Sequence, residues 1–171
     1  MGSGKTTIGT RLAKKLDREF FDTDREIEAR TGASVNLIFD IEGEAGFRER
    51  EHNMLKELSQ KKGVLVATGG GIISREENRQ ILNNTGLVIY LKTSIQQQLQ
   101  RLHRDKSRPI LQNLNKEDKL NELAAFRNPL YEKTADLIFP AKNRNINSNV
   151  GLIVEAIEDY DRSETEPGHE P

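Results

Sequence analysis

The first residues of the chain form a pattern that suits phosphate binding. Gly2-Ser3-Gly4-Lys5-Thr6 matches the end of the motif G-x-x-x-x-G-K-[ST]. Small residues let backbone N–H groups approach phosphate oxygens, and a following helix adds the positive end of its dipole. We expect residues 1–6, Met1 included, to bind a nucleotide, with Lys5 on the β and γ phosphates and the Thr6 hydroxyl on magnesium. The alternative is a flexible N-terminal loop.

Two carboxylates follow a short apolar stretch, which reads as a buried strand at residues 19–22. Asp22 and Asp24 are two positions apart and point to the same side. One carboxylate could support hydrated magnesium while the other accepts hydrogen bonds from substrate hydroxyls. The alternative for Asp24 is that it caps a helix starting at Arg25. The residue types alone leave both roles open.

A glycine triplet and an arginine complete the set of chemically suggestive residues. Gly69-Gly70-Gly71 follows the apolar run at 64–68, at the strand edge where ligands bind in open α/β sheets. Three bare backbones leave room for a sugar-sized ring, although a flexible loop would have the same composition. Arg48 lies beside the apolar Phe47 and among several glutamates. Taken alone, it would more often be a surface ion-pair residue than a ligand.

Alternating strands and helices must position these residues. Apolar residues recur at helical spacing directly behind the phosphate loop, at Ile8, Leu12 and Leu16. Strands are predicted at residues 19–22, 64–68, 87–91 and 137–139, and the helices between them imply βαβ units with a largely parallel sheet. The polar stretch 105–116 reads as a mobile loop, and residues 161–171, which hold no apolar side chain, read as a disordered tail.

Composition excludes several classes of protein. The net charge of −1 provides no basic field for nucleic acid. The chain has no cysteine and no apolar run approaching the roughly 20 residues of a membrane span. Its three histidines are not at metal-ligand spacing. We expect a monomeric cytoplasmic protein that binds a small molecule and neither nucleic acid nor membrane.

Five segments in order resemble the shikimate kinase family over residues 1–160. They are Asp22-Thr23-Asp24, Gly46-Phe47-Arg48, Gly69-Gly70-Gly71, Ser107-Arg108-Pro109-Ile110-Leu111 and Arg127-Asn128-Pro129-Leu130-Tyr131. The resemblance implies an α/β P-loop kinase domain of three layers with strand order 2-3-1-4-5, and a lid at about 105–116. It also implies transfer of phosphate from ATP, with Mg²⁺, to shikimate, a step of chorismate and aromatic amino acid biosynthesis.

The same resemblance implies roles for single residues. Asp24 would bind the shikimate hydroxyls and act as base, and Asp22 would lie near the metal. Arg48 and Arg127 would clamp the substrate carboxylate, because a guanidinium fork offers two parallel N–H bonds. The glycines at 69–71 would line the substrate site. The remaining implied residues are arginines: the lid residue Arg108, which would be catalytic together with Lys5 and Asp24, and Arg101 and Arg144, which would flank adenine.

The resemblance also raises a question about the sheet. The first glycine of the phosphate motif would lie two positions before Met1, and the family's central strand would precede it. Without that strand, a gap about 10 Å wide would separate the strands at 64–68 and 87–91. We therefore expect the chain as printed to fold poorly, and a start further upstream is the simplest account. The alternatives to a shikimate kinase function are another metabolite kinase, such as gluconate kinase, and a relic that binds nucleotide without catalysis.

Overall fold

Helices and strands alternate along the chain. A computed structural model describes residues 4–102, 116–140 and 145–165. Within these residues the strands are β1 (Glu19–Asp22), β2 (Val64–Ala67), β3 (Ile89–Lys92) and β4 (Leu137–Pro140). The helices are α1 (Lys5–Lys15), α2 (Thr23–Thr31), α3 (Val35–Leu58), α4 (Glu76–Thr85), α5 (Ile95–Leu102), α6 (Lys116–Thr134) and α7 (Ile146–Thr165), and a 3₁₀ turn spans Ile72–Ser74.

The strands form two parallel pairs. β1 pairs with β2 so that Asp22 lies opposite Ala67, and β3 pairs with β4 so that Lys92 lies opposite Pro140. In the described part of the chain, no ladder joins the two pairs. The expected α/β architecture with parallel strands is confirmed. The order 2-3-1-4-5, which counts the missing central strand as 1 and β1–β4 as 2–5, stays a prediction, as does the missing strand itself.

Helices cover both faces of the strands. On one face, α1 and α7 form a buried cluster against which β2, β3 and β4 pack, through Leu65, Ile89, Leu91 and Phe139. On the other face, α2 and α3 bury Ile27, Phe47 and Leu58 against Phe21 and Val66. The neighbours Leu65 and Val66 therefore point to opposite clusters, as the alternation of a strand requires. The result is a helix–strand–helix arrangement in which β1 and β2 have helices on both faces.

Capping residues define the end of α2 and the start of α3. Gly32 ends α2 with φ 66°, a left-handed conformation that favours glycine. Ser34 begins α3 by accepting a hydrogen bond from the Leu37 N–H at 3.2 Å. Gly43, with φ 70° and ψ −177°, breaks α3 into two arms. The second arm carries Phe47 on its buried face and so fixes the direction of Arg48.

The structure differs from the sequence reading at several points; β2 ends at 67 rather than 68, and β4 ends at 140 rather than 139. β3 begins at Ile89 rather than at 87, because its start is set by pairing with Leu137 on a distant segment. The sequence predicts no helix at α4, whose segment is mostly polar; its Ile81 and Leu82 pack on the cluster formed by Leu55, Ile72 and Ile73. α7 continues to Thr165, beyond the predicted boundary at 160. None of the helices in the described ranges has the length and hydropathy of a membrane crossing.

Candidate active site

The phosphate loop runs directly into α1. Gly4 is the N-cap of this helix with φ 81° and ψ 17°, a left-handed conformation that a side chain would strain. Lys5 and Thr6 follow in the first turn, which holds no acidic residue. The unpaired N–H groups of that turn therefore face the candidate phosphate site without a competing negative side chain. The predicted contacts of Met1, Gly2 and Ser3 lie outside the described residues.

Asp22 joins the end of β1 to the start of α1. Its carboxylate is 4% exposed; Oδ2 accepts a hydrogen bond from Thr6 Oγ1 at 2.7 Å and lies 3.2 Å from Lys5 Nζ. Burial alone would raise the pKa of Asp22, but the Thr6 hydrogen bond and the Lys5 charge outweigh it and lower that pKa below its usual value. Asp22 is therefore an anion at neutral pH.

The pair formed by Thr6 and Asp22 suits a hydrated magnesium ion. Mg²⁺ prefers oxygen ligands, keeps several waters, and is held in proteins by one or two carboxylates. Here a hydroxyl and an ionised carboxylate oxygen lie 2.7 Å apart beside the phosphate loop. No group of three or more acidic or histidine side chains in the described ranges forms a separate metal cage. The residues present thus fit a metal that arrives with nucleotide phosphates.

Asp24 does not cap α2, so that alternative was wrong. The N-cap is Asp22, whose Oδ1 accepts the Asp24 N–H at 3.1 Å. The carboxylate of Asp24 instead lies between two parts of the candidate site. Its Oδ2 is 3.9 Å from Lys5 Nζ, and its Oδ1 is 3.1 Å from the Cβ position built on Gly69. A carboxylate in this position can face both a phosphate group and a substrate hydroxyl.

The glycine loop, residues 69–71, meets these groups because β1 and β2 are parallel and end together. The Gly69 N–H donates to Thr23 Oγ1 at 3.2 Å. A Cβ on Gly69 would lie 2.5 Å from Glu51 Oε1, and one on Gly71 would overlap the guanidinium of Arg48. The loop backbone is therefore in direct contact with charged side chains, which explains why glycines occupy it.

Arg48 projects from the second arm of α3 onto this loop. Its Nη1 donates to Glu51 Oε2 at 2.7 Å, and Glu44 Oε1 lies 3.2 Å from Nη2. The guanidinium also lies over the ring of Phe47, 5.4 Å from its centroid. Burial would lower the pKa of Arg48, but Glu51 outweighs this and raises it. Glu51 thus fixes the partly buried Arg48 cation at the glycine loop, so Arg48 is not simply a surface ion-pair residue.

Glu51 is a site residue that the sequence reading missed. It is 1% exposed, and its Oε1 is buried without a hydrogen-bond partner among the described residues. Burial raises its pKa above the usual value, while the charges of Arg48 and Arg127 act in the opposite direction. The available signal was its spacing, because Glu51 continues the buried stripe that starts at Phe47 and continues at Met54. A carboxylate at a core position is uncommon unless it is paired.

Arg127 reaches the same region from α6. The charge of Arg127 acts to lower the pKa of both Glu51 and Tyr131. Its Nε is buried without a partner in the described part of the chain. An unsatisfied buried donor of this kind can hydrogen-bond a ligand. Tyr131, one turn further along α6, donates a hydrogen bond to the carbonyl of Gly70. Tyr131 thus links α6, the helix that carries Arg127, to the glycine loop that Arg48 contacts.

Three predicted nucleotide contacts are not visible in this geometry. Arg101 belongs to α5, but its side chain is not among those described, and Arg108 and Arg144 lie outside the described residues. A separate cavity of about 480 Å³ opens between β3, α5 and α6 and is lined by Lys92, Gln98 and Asn128 among others. It contains none of the predicted site residues.

Comparison with known proteins gives a consistent assignment. The family model described as shikimate kinase matches residues 1–158. The shikimate kinase of Chromohalobacter salexigens is 53% identical over 154 residues, covering 90% of this chain and 86% of that protein. That of Buchnera aphidicola is 49% identical over 159 residues, covering 92% of each.

Solved structures agree with the sequence matches. The shikimate kinase of Acinetobacter baumannii, solved in complex with shikimate, aligns with a TM-score of 0.90 and 45% identity over 94% of this chain and 89% of that one. A deoxyadenosine kinase from M. mycoides, at 19% identity and a TM-score of 0.59, shares the fold alone. Since the family model spans nearly the whole sequence and relatives are about 50% identical, this chain belongs to the shikimate kinase family.

Proposed function

We propose that this protein transfers the γ-phosphate of ATP to the 3-hydroxyl of shikimate, giving shikimate 3-phosphate and ADP. One observation carries the proposal. The phosphate-loop lysine, Lys5, lies 3.9 Å from Asp24, and Asp24 lies against the same glycine loop that Arg48 contacts. A phosphate-binding group, a candidate base and a carboxylate-binding group are thus adjacent. This set matches a substrate that carries both hydroxyls and a carboxylate.

The substrate carboxylate would be bound by the two arginines. Arg48 is already oriented by Glu51 at 2.7 Å, so little side-chain freedom is lost when an anion binds. Arg127 brings a buried Nε that has no partner within the described residues. The glycine loop lets Glu51 and Arg48 come close to its backbone, because side chains at 69 and 71 would meet these two groups. Asp24 would accept hydrogen bonds from the ring hydroxyls.

Nucleotide binding would use residues 1–6, with Arg101 and Arg144 beside the adenine. The Mg²⁺ ion would be held by Thr6 and, through water or directly, by Asp22, and it would neutralise phosphate charge. Lys5 now pairs with Asp22 and Asp24, and it would turn toward the β and γ phosphates when nucleotide binds. These donors together favour negative charge at the N-terminus of α1.

Catalysis would consist mainly of alignment and charge stabilisation, because phosphoryl transfer passes through a loose transition state. The bond between the γ-phosphorus and the β–γ bridging oxygen breaks while a bond to the substrate oxygen forms. Asp24 accepts the hydroxyl proton. Lys5 and the lid residue Arg108 stabilise charge on the transferred group. The domain would extend over residues 1–160, with a lid at 105–116.

The strand order 2-3-1-4-5 also belongs to this proposal. β2 and β3 each have one partner strand among the described residues, yet both pack on the cluster formed by α1 and α7. A further strand between β2 and β3 would connect the two pairs into one parallel sheet of five strands. Such a strand would lead into the phosphate loop, whose following helix lies over β2.

A coupled assay with ATP and Mg²⁺ tests the activity directly. We expect turnover with shikimate and none with gluconate. The variant Arg48→Lys should raise the KM for shikimate about tenfold or more, because it loses charged hydrogen bonds, and leave the KM for ATP within about twofold. The matched control is Arg50→Lys on the same helix, where an exposed arginine pairs with Glu42 at 2.6 Å.

The outcomes separate the alternatives. Turnover of gluconate or a nucleoside monophosphate with no use of shikimate would refute the proposal. Nucleotide binding without turnover of any acceptor would favour a non-catalytic protein. Equal effects of the substitutions at 48 and 50 would remove Arg48 from the substrate site.

A further inference from the structure

Side chains from three different helices hydrogen-bond to the backbone of the glycine loop and of the residue that follows it. Thr23, at the start of α2, accepts the Gly69 N–H at 3.2 Å. Tyr131, on α6, donates to the Gly70 carbonyl. Asn78, on α4, donates from Nδ2 to the Ile72 carbonyl at 3.0 Å, just beyond the loop. Of these three side chains, only Tyr131 lies on the helix that carries a candidate substrate-binding arginine.

Tyr131 is well supported in its position. Its ring stacks on that of Tyr90, with centroids 4.6 Å apart and planes 21° apart. The Tyr90 hydroxyl in turn donates to Asn128 Oδ1 at 3.1 Å, so β3 and α6 are linked twice. Burial raises the pKa of Tyr131 to about 12, so its hydroxyl remains protonated and able to donate. The hydroxyl can therefore donate to the Gly70 carbonyl at neutral pH.

The spacing along α6 gives this hydrogen bond its significance. Arg127 and Tyr131 are four residues apart and lie on the same face of the helix. The Gly70 peptide lies in a run of three glycines, which has more backbone freedom than any other sequence of that length. A bond from Tyr131 to Gly70 therefore fixes where Arg127 stands relative to the loop.

We propose that Tyr131 is a positioning residue for substrate recognition: its hydroxyl holds the Gly70 peptide at a fixed distance from Arg127 and so sets the width of the carboxylate site. Tyr131 acts through Arg127 and the loop and does not touch the reacting atoms. The inference rests on the proposed function, because it assumes that Arg127 and the glycine loop bind the substrate.

The variant Tyr131→Phe tests the proposal, since it removes the hydroxyl and keeps the stacked ring. Loss of one hydrogen bond should raise the KM for shikimate about fivefold. The kcat and the KM for ATP should stay within about twofold, because uniform substrate binding is lost rather than transition-state stabilisation. The matched control is Tyr160→Phe on α7, a helix that carries none of the candidate site residues. It should leave all three constants within about twofold.

A double-mutant cycle shows whether Tyr131 acts through Arg127. We expect the effect of Tyr131→Phe to shrink to less than about twofold when Arg127 is already lysine, because the two side chains then no longer cooperate. Independent, multiplying effects would overturn the proposal. Equal increases in both KM values with a lowered melting temperature would also overturn it, since they indicate a general structural role.

Two further measurements keep the test decisive. If Tyr131→Phe does not fold, Tyr90→Leu removes the ring that supports Tyr131 while leaving its hydroxyl; the KM for shikimate should then rise about threefold, and no rise would refute the proposal. Wild-type protein that does not phosphorylate shikimate would disprove the proposed function itself. Wild-type protein that turns over shikimate, with an unchanged KM in Tyr131→Phe, would disprove only the role of Tyr131.

Discussion

At the scale of single residues, the candidate site is organised around a buried ion pair that also supports the glycine loop. Glu51 lies in the core between Arg48 and Gly69, and its Oε1 has no partner among the described residues. A buried carboxylate is costly unless a cation compensates for it. Arg48 provides that cation and, by pairing with Glu51, is held in one direction. The pair thus keeps a guanidinium ready for an external anion.

Gly71→Ala tests whether the position of Arg48 matters for binding. Gly71 has φ −82°, which any residue tolerates, so the backbone itself would not be strained. A Cβ there would overlap the guanidinium of Arg48, which must move aside. Because Arg48 would then move away from the buried carboxylate of Glu51, we expect the free energy of unfolding to fall by about 1–3 kcal/mol. The KM for shikimate should rise about tenfold, as steady-state kinetics would measure.

Gly86→Ala is the matched control for that variant. Gly86 has an extended φ of 172°, and nothing lies within 4 Å of the Cβ position built on it. Its KM for shikimate should equal that of the wild type. If Gly71→Ala binds shikimate as the wild type does, Arg48 does not contribute to the substrate site.

The sequence predicts chemical types at the site better than it predicts partners. The family segments predict Asp24, Arg48 and Arg127; the structure places the first two at the glycine loop and the third on the helix whose Tyr131 bonds to that loop. The capping role of Asp22 was missed, because Asp22 and Asp24 are equally plausible caps until the first residue of α2 is known. Glu51 and Tyr131 were missed because their contacts are with backbone and side chains distant in sequence. Such long-range contacts leave little local pattern.

At the scale of elements, the site depends on how closely α1 packs on β1 and β2. α1 carries Lys5 and Thr6, whereas β1 ends at Asp22, so their separation sets the geometry between them. The helix comes close to β1 at Gly9, where a built Cβ would lie 2.6 Å from the ring of Phe20. A glycine inside a helix costs about 1 kcal/mol relative to alanine. Here it allows the helix to sit directly on the strand.

The variants Gly9→Ala and Gly151→Ala test this packing as a pair. Both glycines lie inside helices, but nothing lies within 4 Å of a Cβ built on Gly151. Gly151→Ala should therefore stabilise the protein by about 0.5–1 kcal/mol. Gly9→Ala should destabilise it by about 1 kcal/mol, because overpacking outweighs the gain in helix propensity.

Urea denaturation measures the stability of both variants, and steady-state kinetics measures the KM for ATP. The KM for ATP should rise in Gly9→Ala, because a displaced α1 carries Lys5 with it. It should stay unchanged in Gly151→Ala. Equal stabilisation by the two substitutions would show that α1 does not pack tightly on Phe20.

Element boundaries could be predicted where local chemistry determines them. β1 matches the sequence reading, because its apolar residues are followed directly by Asp22, the N-cap of α2. β3 was displaced by two residues because its register depends on β4, which lies more than forty positions away. α4 was missed because its short apolar face, Ile81 and Leu82, is too small to give a clear helical period.

At the scale of the whole molecule, two strand pairs share one covering layer without being paired to each other. The cluster formed by α1 and α7 is packed by Leu65 of β2 and by Ile89 and Leu91 of β3. In a parallel strand, alternate residues direct their N–H and C=O groups to opposite sides. Half of the backbone groups of β2 and β3 therefore point away from β1 and β4, toward the position of the strand that we propose.

A chain extended upstream of Met1 by an apolar strand tests this arrangement. Each buried aliphatic side chain of such a strand contributes about 1.5–3 kcal/mol, so the free energy of unfolding in urea should rise by at least about 3 kcal/mol. Hydrogen exchange should slow at alternate amides of residues 64–67 and 89–92, because they gain partners. The control extension has equal length but only glycine and serine, and it should change neither quantity. If both extensions stabilise equally, or if exchange slows in neither strand, no strand lies between β2 and β3 and the order 2-3-1-4-5 is wrong for this chain.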